Sequence, residues 1–240
     1  MISIIIPIYN QAENFPSTLE SILNQDIEEQ DLEVIIVNDG STDSTEKVIE
    51  QHVEKFKEND ITLKVFSFSK NQGAPAARNK GFQESEGEYV LFCDADASLK
   101  PHALKKMFST LQQVPDASYV YSSFKWGKKE FRPGHFDREK LKQQPYIHTM
   151  SLIRREDFPE EGWDESLARF QDWDLWLTML EQDKIGYWID EILFTVQTGG
   201  SISSWRPSFF YKIFPFLPSV KKYKKAVNKV KKKHGLPLSQ

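Results

Sequence analysis

A single cysteine, Cys93, occurs in 240 residues. This excludes an internal disulfide and a cysteine-rich zinc site, and inside the apolar run "YVLFC" the thiol reads as a small core hydrophobe suited to a reducing, intracellular compartment. No stretch approaches the roughly 18 uninterrupted apolar residues of a membrane span. The opening "MISIIIPIYN" lacks a basic leader and Pro7 cuts its apolar run short, so it reads as a strand and not as a targeting segment. No G-x-G-x-x-G turn is present, which sets aside a dinucleotide-dependent dehydrogenase. Acidic residues stop at Glu191: ten lysines and arginines follow it, whereas the first 191 residues hold 21 basic against 35 acidic side chains. With so acidic a remaining surface, nucleic acid is not an expected partner.

What is present suffices for one α/β domain with an appendage, since 39% of residues are hydrophobic. Ile2 to Ile8 is an apolar, β-branched run of the kind buried on both faces of a sheet. A helix with Leu19, Ile22 and Leu23 on one stripe follows. The design then repeats: a strand from Leu32 to Val37, a turn rich in Asp, Gly, Ser and Thr, and a helix through Val48 and Val53. "ITLKVFSFS" is a third strand, Ala76 to Phe82 a third helix after Pro75, and "YVLFC" a fourth strand. Alternation of this kind implies a mainly parallel sheet with right-handed crossovers, whose ligands sit beyond the carboxyl ends of the strands. Asn10, Asp39, Asn71 and Asp94 each follow a strand and should share one rim. After Ala97 come a helix from Leu104 to Leu111, strands in "ASYVYSSFKW" and "HTMSLIRRE", and the loop "FPEEGWDESL". The helix "QDWDLWLTMLEQ" then places Asp172 in its first turn and Trp173, Trp176, Leu177 and Leu180 on its apolar face.

Three turns carry chemistry. In "DADAS", an extended chain would point Asp94 and Asp96 the same way, two carboxylates whose repulsion a divalent cation relieves; alone, the pair also reads as a solvated strand end. Asp39 follows a buried strand too early to cap the next helix, so it is a candidate acceptor for a base N–H, with Gly40 supplying a positive φ. Arg78 falls near the start of a helix beside the same rim, suited to a phosphate or a carboxylate.

The ordered set "SIIIPIYNQAENFPSTLESILNQD", "LEVIIVNDGSTDST", "NQGAPAARNKGF", "YVLFCDADAS" and "QDWDLWLTM" resembles the family 2 glycosyltransferases of the GT-A fold, from residue 2 to about residue 203. The resemblance implies an α/β/α sandwich over residues 1–205, with a nucleotide-sugar-binding half at 1–97 and an acceptor half at 98–205. It implies a donor pocket that includes Pro7, Tyr9 and Asn10, a nucleotide-binding Asp39, and a D-x-D motif at Asp94, Ala95 and Asp96 holding Mg²⁺ or Mn²⁺ and the diphosphate, which Arg78 could assist. It further implies Asp172 as the catalytic base of an inverting, non-processive transfer from a nucleoside-diphosphate sugar, UDP first, to a saccharide or lipid-linked acceptor. Two departures stand out. Ala97 replaces a third acid after the D-x-D, and Gln171 replaces the acid before the base.

Among the aromatic residues of the second half, Trp163 and Trp173, with His148, are the candidates for stacking on the acceptor sugar, and Asp174 is expected to be an exposed helix residue. The extension from 206 to 240 interleaves Phe209, Phe210, Phe214 and Phe216 with lysines. It reads either as a contact with the anionic cytoplasmic face of a membrane or as a basic helix packed on the domain by its aromatics. The rival functions are a non-catalytic nucleotide-sugar sensor and a D-x-D phosphotransferase; in the latter the D-x-D strand would come first in the fold, whereas here it is fourth.

Overall fold

The computed structural model describes residues 1–27, 31–197 and 218–238. The first half follows the expected alternation: β1 (Ile2–Ile8), α1 (Phe15–Leu23), β2 (Leu32–Asn38), α2 (Thr45–Glu58), β3 (Thr62–Ser67), α3 (Ala74–Glu84) and β4 (Tyr89–Phe92). The second half is more irregular: β5 (Ala97–Leu99), α4 (Ala103–Gln113), β6 (Tyr119–Trp126), β7 (Lys129–Phe131), α5 (Arg138–Gln143), β8 (Leu152–Arg154), α6 (Gln171–Glu181), β9 (Gly186–Val196) and α7 (Pro218–Lys233).

Period-two alternation in the central strands explains why they are apolar throughout. Ile4, Ile6 and Ile8 of β1, with Val34, Ile36, Leu91 and Cys93, belong to one core; Ile5, with Ile35, Val37, Val90 and Phe92, belongs to the other. The first core is closed by Phe15, Leu19 and Ile22 of α1, Ile49 and Phe56 of α2, and Leu104, Met107 and Leu111 of α4. The second is closed by Ala77 of α3, by Trp173 and Trp176 of α6, and by Val227 and Val230 of α7. Helices therefore cover both faces of the sheet. Helix α2 forms where expected but turns a different stripe inward, Thr45, Ile49, His52 and Phe56, leaving Val53 40% exposed.

Strand order is β3-β2-β1-β4-β8-β6-β9-β5, with β7 paired to β6. The β3-β2-β1-β4 segment is parallel, as is β6 with β9; β8 joins the two segments antiparallel to both β4 and β6. Strands β5, β7 and β9 escaped the sequence reading. β9 lacks a clean alternation because its pairing with β6 shifts register at Ser122 and Ser123, which breaks the period. Its far end pairs antiparallel with β5, Ala97 opposite Val196, and so brings residue 197 back to the carboxyl end of β4.

The expected boundary near Trp205 and the phenylalanines at 209, 210, 214 and 216 lie outside the described residues. Within them, α7 packs on the domain through Val220, Val227 and Val230. Among the described residues no helix is long and apolar enough to cross a membrane.

Candidate active site

The turns after β1 and β2 are bound to each other. Asn10, at φ 50°, accepts the backbone N–H of Thr42 at 2.8 Å on its Oδ1, and its own N–H donates to Ser41 Oγ at 3.0 Å. The Ala12 N–H donates to Asp43 Oδ2 at 3.1 Å. Asp43 thus serves the neighbouring turn while its Oδ1 accepts from the Thr45 N–H at 3.0 Å at the start of α2. Tyr9 stands 40% exposed beside this junction, open to stacking, and Pro7 is half-buried at the end of β1.

Asp39 is buried, and its carboxylate accepts the backbone N–H groups of Gln72 at 2.6 Å and Gly73 at 2.8 Å. Burial raises its pKa and the two N–H bonds pull it back only partly. Each oxygen keeps a further lone pair for a ligand donor. Asp39 therefore shapes the loop before α3.

Asp94 and Asp96 are not on an extended strand. The Ala97 N–H bonds back to the Asp94 carbonyl at 3.1 Å, so the D-x-D is a tight turn, because the chain must reverse there to place β5 against β9. Thr18 Oγ1 donates to the Ala95 carbonyl at 2.9 Å and the Gln197 N–H to the Asp96 carbonyl at 2.9 Å, pinning the turn from both sides. Burial, and then the Asp94 carboxylate, push the Asp96 carboxyl up to about 6. Burial is the larger of the two causes, and the neighbouring carboxylate adds to it. The pair fits a divalent ion whose remaining ligands are phosphate oxygens and water; among the described residues no group of three or more His, Cys, Asp or Glu side chains could hold a metal by itself.

Arg78 lies in the second turn of α3, 7% exposed. One terminal nitrogen donates to Asp94 Oδ1 and the other to Gln171 Oε1, each at 3.1 Å, and the guanidinium lies 4.7 Å above the Trp163 ring centroid. Trp163 is 2% exposed and packs edge-on against Phe92, and Trp173 is fully buried with its Nε1–H on the Leu141 carbonyl at 2.6 Å. Neither can stack on an acceptor sugar as expected: both are core, because α6 and the preceding loop cover the second face of the sheet. Trp163 instead supports Arg78 from below.

His148 does stand at the site. Its Nδ1 accepts the Met150 N–H at 3.1 Å, which leaves the proton of the neutral ring on Nε2, 3.8 Å from Asp94 Oδ2. Burial, with the nearby Arg78 charge, lowers its pKa against the pull of Asp94 and Asp172, which favours the neutral ring. Asp172, the second residue of α6, accepts the Trp173 N–H at 2.9 Å. Burial raises its pKa, opposed by that bond and by His148 and Arg78, while Asp94 pushes it further up. Asp94, Arg78, His148 and Asp172 thus lie within electrostatic reach of one another. Gln171, which read in the sequence as a lost acid, is a structural partner of Arg78; nothing in its local pattern signalled that contact across 93 residues. Asp174, expected on the surface, is 2% exposed and paired with Lys233, the last residue of α7, and with His234, which follows it.

A model of the family described as "Glycosyl transferase family 2" matches residues 3–170. An uncharacterized glycosyltransferase of Methanocaldococcus jannaschii is 27% identical over 195 residues, covering 76% of this chain and 66% of that protein. The chain spans two thirds or less of the length of the curated relatives it matches. Among solved structures, Staphylococcus aureus TarS in complex with UDP-GlcNAc superposes with a TM-score of 0.71 at 20% identity, covering 96% of this chain and 72% of that one. A mannosyltransferase from Pyrobaculum calidifontis in complex with GDP-Man and Mn²⁺ superposes with a TM-score of 0.70 at 19% identity, covering 97% and 63%. These likenesses establish the GT-A fold. With its family model matched across more than half its length, the chain belongs to glycosyl transferase family 2.

Proposed function

We propose that the chain is an inverting glycosyltransferase that moves a sugar from a nucleoside-diphosphate sugar, a UDP-sugar first, to a hydroxyl of a saccharide or lipid-linked acceptor. The observation that carries this reading is the convergence of Asp94, Arg78, His148 and Asp172 at the carboxyl end of β4. Asp94 and Asp96 would hold Mg²⁺ or Mn²⁺, which supplies Lewis-acid neutralisation of the leaving diphosphate. Arg78 adds a fixed positive charge on the same side, its direction set by Gln171 and Trp163. Asp39 and the Tyr9–Asn10 turn would receive the nucleoside.

Asp172 accepts the proton of the acceptor hydroxyl as that oxygen bonds to the anomeric carbon and the bond to the diphosphate breaks. One base on the face opposite the leaving group suffices for a single displacement with inversion. Its raised pKa makes it a better proton acceptor than an exposed aspartate. Relatives in the family suggest a role in building envelope polysaccharides: one curated match is a poly(ribitol-phosphate) beta-glucosyltransferase of Bacillus spizizenii. A basic tail would suit peripheral attachment to the cytoplasmic membrane face, where a lipid-linked acceptor sits.

The test is thermal unfolding of the protein with UDP-, dTDP- and GDP-sugars, each with and without Mn²⁺ or Mg²⁺, followed by assay of nucleoside diphosphate release. A metal-dependent upward shift with one donor, and release that is lost in Asp172→Asn, supports the transferase. A shift without release in the native protein points to the non-catalytic sensor.

A further inference from the structure

Helix α7 holds α6 on both sides of Asp172. On one side is Phe170, whose φ of 60° is left-handed. Such a backbone is strained for a non-glycine residue and persists where its surroundings impose it. The Phe170 ring is held edge-on by Trp173 at 6.1 Å and by Tyr223 of α7 at 5.2 Å. On the other side is Asp174, a carboxylate out of contact with water. Its Oδ2 accepts from Lys233 Nζ at 2.8 Å and its Oδ1 lies 3.0 Å from His234 Nε2, both from the C-terminal end of α7 and the residue after it. Lys233 also reaches Asp164 at 2.9 Å, and His234 Nδ1 lies 2.8 Å from Glu181 Oε1. A buried carboxylate stripped of such partners is strongly destabilising. Asp174 and the end of α7 therefore have to be placed together.

We propose that α7 is a positioning clamp for the first turn of α6: Tyr223 on Phe170 and the Lys233–His234 pair on Asp174 together set the direction of the Asp172 carboxylate between them. The inference rests on reading Asp172 as the base. Tyr223, Lys233, His234 and Asp174 are positioning residues, acting through the helix backbone. A base displaced by a fraction of an ångström loses alignment with the acceptor hydroxyl, while the donor site on the other side of Arg78 is left intact.

The clamp is proton-dependent. With both ring nitrogens against carboxylates, His234 donates to both only as the imidazolium; neutral, it keeps one N–H. The groups facing it are Asp174 and Glu181 of α6, with Lys233 beside it in α7 and Asp164 from the loop before α6. Burial disfavours the charged ring, but the bonds to Asp174 and Glu181 outweigh it and hold the pKa above the usual histidine value. A raised folded pKa means that the clamp is complete below about 6.5 and loosens as pH rises through the folded value.

The experiment uses the full chain and its Lys233→Gln/His234→Gln variant, with three readouts: hydrogen exchange in peptides covering 168–180, affinity for UDP with Mn²⁺ by calorimetry, and nucleoside diphosphate release across pH. Exchange at 170–174 should rise about tenfold or more. Turnover should fall on the order of tenfold with UDP affinity within about twofold, and the alkaline limb of the native pH profile should vanish. Unchanged exchange overturns the clamp. So does faster exchange with unchanged turnover, which would make α7 a packing element. Should the double variant not fold, Tyr223→Leu leaves the charged cluster whole and should raise exchange at Phe170 with a smaller loss of turnover; no change in either refutes the inference. If the native protein turns over no donor, the transferase reading fails separately, and exchange alone decides the clamp.

Discussion

Arg78 donates to Asp94 with one terminal nitrogen and to Gln171 with the other, each at 3.1 Å, so a single guanidinium ties the turn after β4 to the first turn of α6. The Asp94 side and the Asp172 side of the proposed site are thereby set relative to each other by one residue of α3.

Arg78→Lys keeps the charge but cannot span both partners, since an ammonium lacks the planar fork. Affinity for UDP with Mn²⁺, read by calorimetry, should weaken about tenfold, or ~1.4 kcal/mol. Turnover should fall further than affinity, because Asp172 loses its reference to Asp94. A variant with native kinetics would show that the bridge is incidental.

Asp172→Asn removes the proton acceptor and leaves the fold of α6 in place. Release of nucleoside diphosphate to acceptor should fall by roughly 10²–10⁴, as for loss of a general base, with UDP affinity unchanged. Retention of more than a tenth of native turnover would assign the base elsewhere.

The pH dependence follows from the same residue. Burial, partly offset by the Trp173 N–H, His148 and Arg78, holds the Asp172 carboxyl above the usual aspartate range. The base works only when deprotonated, so turnover should climb as pH rises through a value above about 3.9. An acid limb at or below that value would contradict the assignment; kcat measured from pH 4 to 8 reads it directly.

Gly40→Ala tests the turn that carries Asp39. Gly40 sits at φ 71°, and a Cβ there would lie 2.6 Å from the Lys70 carbonyl carbon. Strain and clash together should cost roughly 1–3 kcal/mol, seen as a lower urea midpoint, with weaker nucleotide binding as the Asp39 loop shifts. An unchanged midpoint would mean that the loop before α3 moves freely.

Docking of α7 should have an acid edge. Burial raises the Asp164 pKa, but bonds from Ser166 and Lys233 prevail and lower it to about 2. A depressed carboxylate stabilises above its unfolded pKa and loses that contribution as pH falls from about 3.9 to about 2. Exchange across 218–238 should therefore quicken below pH 4 in the native chain and less so in Lys233→Gln. Equal acid sensitivity in both would separate Asp164 from the docking of α7.

Much of the first half of the chain was legible because its signals are local. A β-branched run interrupted by Pro7 and Asn10 can only be a buried strand and its turn, and the same holds for Leu32 to Asn38; once those strands are parallel, their polar turns must gather at one end. The rest depended on contacts remote in sequence. Whether Trp163 and Trp173 face solvent or core cannot be read from residue type, since an aromatic residue suits both, and packing against Phe92 and Leu141 decided it. Asp174 looked exposed because it is charged; Lys233 and His234, some sixty positions away, bury it. The sequence by itself determined the alternating elements, the acids at the ends of β2 and β4, and the first turn of α6, because hydrophobic period and turn chemistry act over a few residues. Only the tertiary structure decided that Gln171 and Trp163 contact Arg78, that His148 lies beside Asp94, and that Lys233 and His234 pair with Asp174 of α6. Those arrangements come from side chains brought together by a nine-stranded sheet, and no local pattern encodes them.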